Sequence, residues 1–131
     1  MELQNYRIKK VEFETHDEKL NTEDSVEINI NLDSDNNTVY FNPTLSATES
    51  FKTNDNSFFS KSLNITFNFI LKIEDDEIPE NVKDRNDMKK FAIKLFNNVS
   101  PIIISVCTMI SSMDGQGAIH VGNKLLLENM N

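Results

Sequence analysis

The chain has 131 residues, 38% of them hydrophobic, and its 21 acidic against 13 basic side chains give a formal net charge of −8. That length points to one domain of ordinary size. The acidic balance excludes a nucleic-acid or anionic-membrane surface, which needs clustered Lys and Arg, and leaves a basic or unfolded polypeptide as a compatible partner.

The first half alternates with period two. "YRIKKVEFE" sets Ile8 against Val11 and Phe13, and the change of parity between them predicts a bulge or kink near Lys9–Lys10. "SVEININL" places Val26, Ile28, Ile30 and Leu32 on one face. "DSDNN" has turn composition, and "TVYFNPTLSATESF" resumes the alternation with Val39, Phe41, Leu45 and Ala47. Pro43 sits inside this third strand, which is therefore expected at a sheet edge or with a bulge. After the turn "KTNDN", "SLNITFNFILKI" gives the cleanest strand in the chain.

Four strands in sequence with short turns predict an antiparallel meander over about residues 4–74. The acidic link "EDDEIPENVKDRND" reads as exposed, and from Asp87 the period becomes helical through Met88, Phe91, Ala92, Leu95, Phe96 and Val99. Asn97–Asn98 reads as a stop, Ser100 as an N-cap and Pro101 as the first residue of a second helix running to Met113, with Gly115 as its C-cap. The expected class is α+β: the meander, helices over about 87–114 packed on one face, and a short segment 115–131. Ile102, Ile103, Ile104, Val106 and Ile110 surround the second helix. The sheet alone covers only one side of it, so a second subunit is expected on the other.

Sites for chemistry are scarce. The glycines come late and open no helix, His16 and His120 stand apart in sequence, and "DSDNN" lacks the glycine and terminal glutamate of a calcium loop. Cys107 lies among apolar residues, as a structural cysteine does, and a single cysteine fits a reducing compartment. Glu74, Asp75, Asp76 and Glu77 read as a solvated loop. No secretory signal opens the chain, and the 17 uncharged residues Asn97–Met113 are too few and too polar for a bilayer. The expectation is a cytoplasmic non-enzyme without metal, cofactor, nucleic acid or membrane contact.

Several stretches, taken in order, resemble the SecB export-chaperone family. "RIKKVEFE" is similar to its first strand, "SVEININLD" to its second and "VYFNPTLSATES" to its third. "VSPIIISVCTMISSMDGQGAIHVGN" has the family's proline-aliphatic start to a long helix and the crossover that follows. The resemblance implies an ATP-independent holdase that assembles as a dimer of dimers and holds non-native polypeptide in apolar grooves. Residues needed by neither core nor interface are then the groove candidates: Phe41, Phe51, Phe58, Phe59, Ile119 and Val121. Consecutive Phe58 and Phe59 must face opposite ways on a strand, so one looks outward. Glu14 matches the glutamate that helps dock the translocation ATPase SecA, but Lys10 stands where the family has aspartate, which argues against SecA coupling. "NKLLLENMN" is too short for the family's second, groove-covering helix. A SecB-like chaperone of a toxin–antitoxin system, or a phage-derived structural or adaptor protein using the fold only to oligomerise, are the alternatives.

Overall fold

A computed structural model describes residues Met1–Gly122; the expectation about the segment "NKLLLENMN" lies outside the described residues. Alternation of apolar and polar side chains builds four strands, β1 (Glu2–His16), β2 (Ser25–Asp33), β3 (Thr38–Lys52) and β4 (Phe58–Lys72). Leu63, Ile65, Phe67, Phe69 and Leu71 of β4 point to one face and are almost fully buried, while Ser62, Asn64, Thr66 and Asn68 point to the other. All pairings are antiparallel, and the domain is α+β with an open four-stranded sheet.

The order across the sheet is β1-β4-β3-β2, which corrects the simple meander. Only β2, β3 and β4 follow one another as neighbours; β1 lies beside β4, at the opposite edge from β2. The link 17–24 must therefore cross about 14 Å of sheet, three strand spacings, and its eight residues reach about 26 Å when extended. Side chains fasten it to the sheet end. The buried Ser60 hydroxyl accepts from Leu20 N at 3.0 Å and donates to Glu18 O at 2.7 Å, and Asp24 accepts from Thr48 N at 2.9 Å.

In β1 the pairing slips between Ile8 and Lys10, so Lys9 is the extra residue of the expected bulge; a second slip falls between Leu3 and Asn5. The first slip returns Val11 and Phe13 to the face carrying Tyr6 and Ile8, opposite Ile65, Leu63, Phe69 and Phe67. Pro43 behaves differently from expectation. It lies in β3, a central strand, and the register of Phe41 with Phe69 and Thr44 with Thr66 is unbroken around it, so no bulge forms. The β3–β4 pairing simply skips Asn42 and Pro43, where the proline has no N–H to donate.

A single helix, α1 (Arg85–Ser111), replaces the two expected. Asp84 caps it, accepting from Asn86 N and Asp87 N. Asn97 and Asn98 are exposed and do not stop it, Ser100 is buried in mid-helix, and Pro101 lies on the outer side. The reason is tertiary. The stripe Phe91, Leu95, Phe96, Val99, Ile103, Val106 and Cys107 runs unbroken through the proline and packs on the sheet, with Phe96 edge-on to Phe41 at 5.0 Å. Burying Val99, Ile103 and Val106 contributes about 1.5–3 kcal/mol each, more in sum than the roughly 3 kcal/mol an interior proline costs. By length and composition α1 would also pass for a membrane span, and 39% of its apolar window is buried inside this domain.

Because Pro101 is exposed, its ring contributes little packing. Pro101→Ala restores an N–H for the Asn97 carbonyl and should raise stability by about 1–2 kcal/mol, the helix gain being partly offset by a freer unfolded chain. Urea unfolding should show a higher midpoint at unchanged slope; a lower midpoint would contradict a strained helix.

Candidate functional site

The sheet has two unlike faces. On the polar side Thr44 pairs with Thr66 at 2.9 Å, Asn64 donates to Ser46 at 2.6 Å and Ser50 pairs with Ser60 at 2.8 Å. Those side chains satisfy one another and make an ordinary wetted face. On the other side α1 covers the middle of the sheet, and the candidates divide accordingly.

Phe41 (0% exposed), Ile119 (2%) and Val121 (4%), expected in a client groove, are core residues. Ile103 and Val106, expected in a subunit interface, are covered by the chain's own sheet. Their helical phase puts them on the inner side, so they are not free to meet a partner. Ile102, Ile104 and Ile110 remain partly uncovered, and Met109 and Met113 beside them are exposed. Phe51 and Phe59 are half-buried and stacked at 5.2 Å near the β3–β4 turn. Phe58, on the opposite face, is exposed beneath the Lys19 ammonium at 5.2 Å from the ring centroid. The two consecutive phenylalanines do face opposite ways.

The pattern of the sequence did not single out the broadest apolar strip. Tyr6, Ile8 and Val11 lie on the helix side of β1, yet remain 43%, 38% and 42% exposed. The strand is at the edge; α1 approaches it yet leaves these three side chains largely wet, and its other side pairs with no described strand. A period-two reading marks these residues as inward without showing that no described element covers them. On the polar side of the same strand Lys10 pairs with Glu12 at 2.7 Å, and Glu14, exposed, approaches His16 at 3.6 Å.

A second missed residue is Lys61. It has the parity of Leu63 and Ile65 and is fully buried on the helix side of β4. Its ammonium donates to Ser111 O at 3.0 Å, to Gly117 O at 2.5 Å and to Asp114 Oδ1 at 2.5 Å, and lies 5.5 Å from the centroid of the Phe51 ring. It closes the C-terminal end of α1, where unpaired carbonyls favour a cation. A lysine at a core-parity position of an otherwise apolar strand was the available signal.

Burial raises the Cys107 thiol to about 12, so it stays protonated and is no nucleophile. His120 Nδ1 is 3.0 Å from Glu49, and Glu77 accepts from the Met1 amine at 2.8 Å, so part of the acidic loop is structural instead of merely solvated. Among the described residues no three His, Cys, Asp or Glu side chains converge on a metal position. What the surface offers chemically is apolar area and an open strand edge. No family model, curated protein or solved structure matches the chain.

Lys61 donates to the Asp114 carboxylate and holds it below the usual carboxylate range, with Gln116 N helping. A depressed folded-state pKa means stability that is present above the ordinary Asp value, about 3.9, and lost as pH falls below it. Acid unfolding followed by circular dichroism should therefore lose part of its steepness below about pH 4 in Asp114→Asn. Lys61→Met keeps much of the packing but leaves two carbonyls and Asp114 without their donor. A loss of about 2–4 kcal/mol is expected, since hydrogen bonds to charged groups contribute roughly 1.5–3 kcal/mol each and are not additive. A change under 1 kcal/mol in urea unfolding would show that the ammonium does not hold this end closed.

Proposed function

We propose that the chain is a SecB-like holdase, acting as an oligomer that binds non-native polypeptide without nucleotide or metal. The observation that carries this reading is the strip Tyr6–Ile8–Val11, wet on the apolar side of an open, 15-residue edge strand. Long edges with apolar side chains invite a further strand. The charges of β1 favour a second copy of it: the basic run Arg7, Lys9 and Lys10 is followed by Glu12 and Glu14. Two such strands paired antiparallel about Val11 set Lys10 of each against Glu12 of the other. Pairs formed in this way stack through the uncharged outer side of the C-terminal half of α1, with Ile102, Ile104, Met109 and Ile110, into a dimer of dimers.

Client binding then falls to what assembly leaves wet, above all Phe58 with the half-buried Phe51 and Phe59. The area is small, so exchange is fast and affinity modest, which suits a holdase that releases its client without an energy source. Lys10 repels a basic SecA segment and already engages Glu12, so the reading is of a holdase working apart from SecA. A second reading has its own support. With Phe41, Ile119 and Val121 in the core, self-assembly alone could use most of the apolar surface, as in a structural or adaptor protein.

Light scattering at low micromolar concentration should give a tetramer, and the same sample should suppress aggregation of a chemically unfolded protein. Ile8→Lys with Val11→Lys should yield a smaller species with unchanged far-UV circular dichroism. Phe58→Ser should weaken suppression several-fold at unchanged mass and melting temperature. A stable monomer overturns the assembly, and a tetramer inert towards unfolded protein leaves the adaptor reading.

A further inference from the structure

The segment Gly117–Val121 sends Ile119 and Val121 into the core, although it belongs to no strand. Among the described residues its backbone makes no main-chain hydrogen bond. It is held by side chains: Lys61 on the Gly117 carbonyl at 2.5 Å, the Ser111 hydroxyl accepting from Ile119 N at 2.8 Å, and Glu49 at 3.0 Å from His120 Nδ1. Gly117 has φ +99°, and a Cβ there would meet the Phe51 ring at 3.3 Å, so the strap lies flat on that ring. An extended segment with alternate side chains in apolar holes, one carbonyl held by an ammonium and one N–H by a hydroxyl, is bound as a peptide in a groove is bound.

We infer that residues 117–121 are a built-in occupant of a polypeptide-binding groove formed by α1, Lys61, Phe51 and Glu49, and that an extended client segment takes the same place when the strap leaves. This deepens the holdase reading and rests on it. The groove also states a preference. Two apolar residues flank a central position that faces the Glu49 carboxylate, so a basic residue between two β-branched ones fits best. Departure of the strap uncovers Phe51 along with the holes left by Ile119 and Val121, adding apolar area that the closed form lacks. Because the strap competes with the client, binding to the closed population is weakened in proportion to how rarely it opens.

Hydrogen exchange on the full-length protein tests this. The amides of Ile119 and Val121 should exchange at least 100-fold faster than those of Ile65 and Phe67. Saturating reduced, S-alkylated α-lactalbumin should speed them a further tenfold or more while leaving β4 unchanged. Client bound with strap exchange unaltered overturns the inference and leaves the holdase reading standing. If aggregation suppression shows no client binding at all, both fall. In a second arm, Ile119→Ser with Val121→Ser should bind the synthetic peptide Gly-Gln-Gly-Ala-Ile-Lys-Val-Gly at least tenfold more tightly than the unaltered chain. Glu49→Gln should remove most of the preference for that peptide over one with serine in place of lysine. Equal peptide affinity in the altered and unaltered chains counts against the groove; if the double variant fails to fold, the exchange measurement still decides.

Discussion

Among the described residues one α-helix has to cover four strands, and the widths do not match. Four strands present a face about 19 Å wide at the usual spacing, whereas a helix with its side chains is about 10 Å across. Packed on the sheet, α1 helps keep the central apolar face of β3 and β4 dry: Val39, Phe41, Leu45, Ile65, Phe67 and Phe69 are all essentially buried. It reaches the outer strands only in part, so Ile28 and Ile30 of β2 are half-covered and Tyr6, Ile8 and Val11 of β1 are wet. The apolar strip at the β1 edge is thus not an accident of composition. It follows from the order β1-β4-β3-β2 combined with a single covering helix.

The same shortage of cover explains how the helix tolerates its proline. A break at Asn97–Asn98 would satisfy every local rule but would tilt Ile103, Val106 and Cys107 away from the only surface able to bury them. Continuity keeps those three dry and places Pro101 on the exposed side of the helix, with Asn97, whose carbonyl it leaves unpaired, exposed as well. At the far end the sheet outlasts the helix, and the chain turns back through Asp114 and Gly115 to fill the remaining hole with Ile119 and Val121. Lys61 makes that return possible. Its buried ammonium gathers the end of α1, the turn and the strap on one set of hydrogen bonds. Buried ions seldom add much stability against an apolar alternative, but they fix one arrangement among several.

How much of this the sequence showed depended on range. Alternation in β2, β3 and β4 is a local property, and so was the parity change at Lys9–Lys10; all were legible. Strand order is not local. Nothing in "YRIKKVEFE" says that it pairs with residues sixty positions later, so the meander was the natural and mistaken reading. Asn97, Asn98, Ser100 and Pro101 form a correct set of stop and start signals that a continuous buried stripe overrides. The candidate surface suffered in the same way. Phe41 and Val121 are apolar residues with no local mark separating core from groove, and Ile103 sits one residue from the partly uncovered Ile102. Phe58 was legible because two adjacent phenylalanines on a strand cannot both be buried by one layer.

An exposed apolar edge is hazardous, and the sequence of β1 bears signs of restraint. Two bulges interrupt its pairing register, and charged side chains at Arg7, Lys9, Lys10, Glu12 and Glu14 alternate with the apolar ones. Both features discourage indiscriminate strand addition, the bulges by twisting the edge and the charges by demanding a matching partner. A strand in which a basic run precedes an acidic one favours its own antiparallel copy over partners without that pattern. Client recognition at the same edge would then be suppressed, which moves it to the other end of the sheet, towards Phe58, Phe51 and the strap. On the proposed reading, self-association and client binding fall to different parts of one sheet, so a change that disturbs one need not disturb the other.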